Sequence, residues 1–164
     1  MKHSIRGWRP YALAAAAALF LVACEQPEPP GSGRLVWRTD LPQALAEAKA
    51  GNKRVFVDFT GSDWCPACQK FSRRVGDSAV FEQYARTNLV LVKVDFPQHH
   101  PQPPALAAAN LKLQQQYAPE TAFPTLLLLD AEGRPLLKQV GYDGRSARDY
   151  IAALAKAGEP APAR

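Results

Sequence analysis

Cys65 and Cys68 stand three positions apart in Trp64-Cys65-Pro66-Ala67-Cys68, directly after an apolar strand pattern and at the opening of a helix pattern. At that spacing two thiols bridge within one helical turn with little backbone movement. Cys65 falls at the helix N-terminus, where unpaired N–H groups and the positive end of the helix dipole favour a thiolate. Pro66 takes the first helical position, whose N–H has no helical partner in any case. Cys68 lies a turn deeper and is shielded. The pair reads as an outer nucleophile and an inner resolving thiol, and the strand–turn–helix context gives the C-x-x-C spacing its redox meaning.

Two rival readings fit less of the chain. A zinc or iron–sulfur site takes about four ligands, and the chain has three cysteines and no second pair. His99 and His100 would have to complete the set from the proline-rich loop Pro97-Gln98-His99-His100-Pro101-Gln102-Pro103-Pro104, which fixes no ligand geometry. No metal ligand is assigned. A metallochaperone or metal-site assembly factor using the same cysteines stays as the alternative function. A purely structural disulfide is poor, because closing so short a loop removes little unfolded-state entropy.

The third cysteine belongs to a different pattern. Lys2, Arg6 and Arg9 precede a run of uncharged, mostly Ala and Leu residues from Tyr11 to Val22, the layout of a secretory signal. As a helix that run would rise roughly 18 Å, short of a hydrocarbon core of about 30 Å, so a stable span is not expected. It ends in Leu21-Val22-Ala23-Cys24, which resembles the lipobox of bacterial lipoproteins. That resemblance implies cleavage before Cys24 and its lipidation, with more than one acyl chain as stable anchoring requires. Residues 1–23 are then the signal peptide. Residues 24–33 are the lipidated Cys24 and a Pro-, Gly- and Glu-rich tether. Glu25 stands where inner-membrane retention signals typically have Asp, so the outer membrane is the default destination, on its periplasmic face. Disulfides persist in such a compartment.

Those three cations also account for most of the net charge of +5, leaving +2 for the remainder. So weak a balance argues against phosphate-backbone binding, and no nucleic-acid partner is expected. One domain fits the length of 164 residues. Residues 34–158 alternate in type, and 159–164 form a Pro/Ala tail expected to fray. Strands are expected at Leu35–Trp37, Val55–Phe59, Leu89–Phe96, Thr125–Leu129 and Pro135–Val140, the last two joined by the turn Asp130-Ala131-Glu132-Gly133. Helices are expected over Pro42–Ala50 capped by Asp40, Pro66 to about Val75, Ser78–Arg86 capped by Asp77 or Ser78, Pro104–Tyr117, and Ser146 to about Ala157. Leu106, Leu111 and Leu113 are read as core contacts of the fourth helix. This is an α/β pattern with a mixed central sheet.

The chain from Arg34 to Ala157 resembles the thioredoxin-fold family. Four features carry the likeness: Trp64-Cys65-Pro66-Ala67-Cys68, the acid-bearing strand Val55-Phe56-Val57-Asp58-Phe59, the segment Phe123-Pro124-Thr125 with the apolar run Leu126 to Leu129, and the hairpin from Gly133 to Gly141. The stretch from Phe59 to Cys65 is most similar to exported bacterial members. The resemblance implies a thioredoxin fold, a mixed central β-sheet flanked by helices on both faces, and thiol–disulfide exchange with protein partners. It implies Asp58 as proton acceptor for Cys68, a cis bond at Pro124, a docking role for Thr125, and a covering or docking role for Trp64. Seven positions separate Asp58 from Cys65, one more than in cytoplasmic thioredoxin, so the distance from acid to inner sulfur is a question for the structure. No cofactor is implied. Ala67 supplies no cation between the cysteines, which tilts the reading toward a reductase or an electron relay; a reductase would need a membrane electron donor to recharge it. A monomer is expected, and with no dimerisation domain in the pattern a dedicated dimeric isomerase is not.

Overall fold

A computed structural model describes residues 35–159. The expectations for the signal peptide, Cys24, the tether and the C-terminal tail lie outside the described residues. Five strands, β1 (Trp37–Arg38), β2 (Arg54–Thr60), β3 (Leu89–Asp95), β4 (Thr125–Leu129) and β5 (Pro135–Val140), form one sheet in the order β1-β3-β2-β4-β5. β3 is parallel to β1 and β2, whereas β4 runs antiparallel to β2 and β5 antiparallel to β4. The mixed sheet expected from the sequence is therefore present. β2 lies at its centre, and Val55 to Thr60 are all buried, as an apolar run covered on both faces should be.

Alternation along the central strands divides two cores. Val55, Val57 and Phe59 join Val90, Val92, Val94, Leu127 and Leu129 beneath α1 (Leu41–Ala50) and α4 (Pro104–Tyr117). Phe56, Leu91, Leu126 and Leu128 face the opposite way, toward α2 (Pro66–Phe71), α3 (Ala79–Asn88) and α5 (Ala147–Ala157). Asp58 shares this second face.

Local chemistry sets the helix ends. Asp40 accepts the Gln43 N–H at 2.9 Å, Ser78 caps α3 through the Phe81 N–H at 3.3 Å, and Ser146 caps α5 through the Asp149 N–H at 3.2 Å. Gly133 turns the β4–β5 hairpin at φ +81°, where a side chain would be strained.

Three expectations need correction. The first strand is shorter than expected and shifted to Trp37–Arg38. The expected second helix is α only to Phe71 and continues as a π-helical turn, Ser72–Gly76. Leu111, read as a core contact, is 49% exposed, because α4 meets the sheet along its Leu113 and Tyr117 edge.

Candidate active site

β2 ends at Thr60 and delivers the chain into a tight turn. The N–H groups of Trp64 and Cys65 both return to the Gly61 carbonyl, at 3.3 and 2.9 Å. Gly61 is required here: a Cβ would overlap the Trp64 indole. Cys65 then caps α2 in an extended conformation, with its sulfur accepting the Cys68 N–H at 3.2 Å. Pro66 follows at the start of the helix, as the sequence suggested. The two cysteines form a disulfide with Cα atoms 5.3 Å apart. Both are almost covered, 4% and 3% exposed, so access to sulfur is confined to a small opening.

Neighbouring segments are stitched to this turn by polar groups that the sequence did not single out. Asp95, at the end of β3, accepts the Ser62 N–H at 3.0 Å and the Ser62 hydroxyl at 2.5 Å. The Asp63 carboxylate accepts three successive N–H groups, from Gln98 at 3.0 Å, His99 at 2.7 Å and His100 at 3.2 Å. Desolvation works against the charge on Asp63, but the Gln98 and His99 N–H groups, the His100 ring and the attraction of His99 outweigh it and hold the carboxyl down at about 2. The His99 and His100 main chain is thus tied to a carboxylate beside the motif. Among the described residues no group of three or more His, Cys, Asp or Glu side chains is gathered as metal ligands.

Trp64 donates its indole N–H to the Phe96 carbonyl at 2.7 Å and meets Phe123 edge-on, with ring centroids 5.8 Å apart. Phe123 precedes Pro124 through a cis bond. The fold therefore brings the redox turn, the end of β3 and the Phe123–Pro124 corner together. Thr125 lies inside the sheet opposite Phe59 and Val140, and its hydroxyl bonds to the Ala122 carbonyl at 2.8 Å.

Asp58 is 6% exposed, and its Oδ1 has no hydrogen-bond partner. Desolvation pushes its pKa up to about 7, against the attraction of Lys93 and with a further push from Asp95. Asp58 and Cys68 line the same cavity of about 190 Å³, together with Lys93, Ser72, Arg73 and Asp77. The acid thus opens onto the space beside the inner cysteine despite the longer spacing to Cys65.

A family model described as a thioredoxin-like domain matches residues 41–158. The chain belongs to that family. Among thioredoxin-like relatives, the disulfide bond reductase DsbH of Chlamydia pneumoniae is 34% identical over 133 residues, 81% of this chain and 78% of that protein. The thiol:disulfide interchange protein DsbD of Vibrio cholerae is 32% identical over 103 residues, covering 63% of this chain but 16% of that protein. A solved structure of a DsbH oxidoreductase superposes with a TM-score of 0.71 at 34% identity, covering 82% of this chain and 91% of that one. The thioredoxin fold expected from the sequence is present, and the chain is a thiol–disulfide oxidoreductase. Asp63, Asp95 and Lys93 escaped the sequence reading because their partners lie more than thirty positions away; the one available signal was an acid directly before the Trp-Cys pair.

Proposed function

We propose that this thiol–disulfide oxidoreductase is an exported, lipid-anchored reductase of protein disulfides. The observation that carries the chemistry is the Cys65–Cys68 pair at the start of α2, with Asp58 on the same cavity as the inner cysteine. In the reduced protein the Cys65 thiolate, stabilised by the helix start and the Cys68 N–H, attacks a partner disulfide. One partner sulfur leaves as a thiolate and a mixed disulfide forms on Cys65. Asp58 then takes the Cys68 proton, and the Cys68 thiolate attacks the Cys65 sulfur. The second partner sulfur leaves, and the Cys65–Cys68 disulfide remains. A carboxyl with pKa near 7 is well matched to this proton transfer at neutral pH.

Trp64, Phe123 and Pro124 form the wall against which a partner chain docks. Thr125 already pairs with strands on both sides, so its contribution is to fix the corner. The main chain of Phe123, just ahead of the cis bond, is the better edge for the partner.

The reductase direction is supported by the uncharged Pro66-Ala67 dipeptide and by the name of the Chlamydia relative. A membrane electron donor would recharge the pair, with Cys24 anchoring the protein at the periplasmic face of a membrane. The deciding measurement is the reduction potential of the pair against glutathione. A reductase should lie near −270 mV, the thioredoxin value; one near −120 mV would make the protein an oxidant. Cys68→Ser should trap partners on Cys65.

A further inference from the structure

Lys93 stands between two residues that compete for its charge. β3 lies between β1 and β2, and Lys93 is directly opposite Asp58 on β2. On the other side, Trp37 of β1 is opposite Leu91, two positions earlier on the same face as Lys93. The Lys93 ammonium lies over the Trp37 ring, 5.1 Å from its centroid, within the range of cation–π attraction. Lys93 also lines two neighbouring cavities. One, of about 190 Å³, holds Asp58 and Cys68, and the other, of about 360 Å³, is lined by Trp37 and Leu35. It forms part of the partition between the proton acceptor and the aromatic ring.

Of the charged groups near Asp58, Lys93 is the cation that acts most strongly on its carboxyl. Asp95 on β3 repels the carboxylate, and the buried Tyr150 on α5 supplies no cation. Arg73 from the π-helical turn and Asp77 just after it also line the cavity, Cys68 lines it from α2, the β4 neighbour is the apolar Leu126, and Asp77 with Glu82 of α3 lines the Trp37 cavity beside Lys93. A carboxylate in contact with an ammonium is a poor base, because the pairing favours its ionised form. An ammonium drawn onto an indole face still attracts the carboxylate but leaves it less firmly ionised.

We propose that Trp37 is a positioning residue of the exchange reaction, its indole face holding the Lys93 ammonium off Asp58 so that Asp58 stays basic enough to take the Cys68 proton. This rests on the reading of Asp58 as proton acceptor. The test is an NMR titration of the Asp58 side-chain carboxyl in the oxidised full-length protein. Trp37→Leu should lower the midpoint by about one pH unit, a tenfold change in proton affinity. Trp37→Phe, which keeps a weaker ring face, should lower it less. Lys93→Met should raise it, and Trp37→Leu in the Lys93→Met background should change nothing further.

An unmoved or raised midpoint in Trp37→Leu, or a shift that survives without Lys93, would overturn the proposal. If Trp37→Leu does not fold, Trp37→Phe with and without Lys93→Met provides the same comparison. The role of Asp58 is judged separately, by stopped-flow release of a partner from the Cys65 mixed disulfide. An unchanged release rate in Asp58→Asn would refute the proton acceptor and overturn the catalytic part of the proposal. The titrations would still report whether Trp37 governs the charge on Asp58.

Discussion

The indole N–H of Trp64 donates to the Phe96 carbonyl at 2.7 Å, latching the residue beside the nucleophile to the end of β3. The ring can lie there only because Gly61 has no side chain. Gly61→Ala should displace the indole, cost about 1–3 kcal/mol of stability as overpacking does, and slow reduction of a disulfide-bonded protein substrate. Urea denaturation and a turnover assay would check this; an alanine variant with unchanged stability and rate would mean that the latch is dispensable.

Asp58 gives a pH signature of known sign. Burial keeps its proton on in the fold up to about 7, whereas the unfolded chain releases it near 3.8. Between those values the folded state binds more protons, so stability falls as pH rises and levels off above the window. Relative to wild type, oxidised Asp58→Asn should gain little near pH 4 and up to about 4 kcal/mol at pH 8. Denaturation curves at the two pH values test it, and an equal difference at both would show that the carboxyl titrates normally.

Asp63 has the opposite sign. Its carboxyl is held at about 2, so the brace on the loop is present above the ordinary aspartate range and is lost only as pH falls through that value. Asp63→Ala should expose the Gln98, His99 and His100 amides to exchange about tenfold faster or more, as expected for local opening. Hydrogen exchange on the oxidised protein reads this directly; unchanged protection would show that other contacts hold the loop.

The N-terminal pattern predicts a chemical modification. Cells fed labelled palmitate should incorporate it into the wild-type protein, and Cys24→Ala should abolish the label and release the protein from the membrane fraction. Labelling that persists in the alanine variant would remove the anchor from the functional reading.

Periodicity and caps made most of the fold legible. Asp40 and Ser146 announced their helices, Gly133 its hairpin, and the unbroken apolar run at Val55–Phe59 a strand covered on both faces. What escaped was non-local or graded. Leu111 carries an apolar side chain on an alanine-rich helix, and nothing in its spacing distinguishes the edge that meets the sheet from the edge that does not. The π-helical turn has no composition of its own, because Ser72 to Gly76 would also suit an α-helix. At the site, the motif marks Cys65 and Cys68, and the family resemblance marks Asp58, which lines the cavity of the inner cysteine. Lys93 and Trp37 were not, since their relation to Asp58 exists only once β3 lies between β1 and β2.

The widened turn at Ser72–Gly76 separates the helix into two phases. Upstream, the angular setting of the sulfurs is fixed by the Gly61 turn and by Pro66. Downstream, Val75 is fixed by its apolar neighbours on the α3 and α5 side. The turn serves both ends: Ser72 and Arg73 line the cavity of Asp58 and Cys68, while Val75 joins Phe71 in one apolar cluster. A residue lost from this stretch would therefore disturb the space beside the inner sulfur and the packing that anchors it at once.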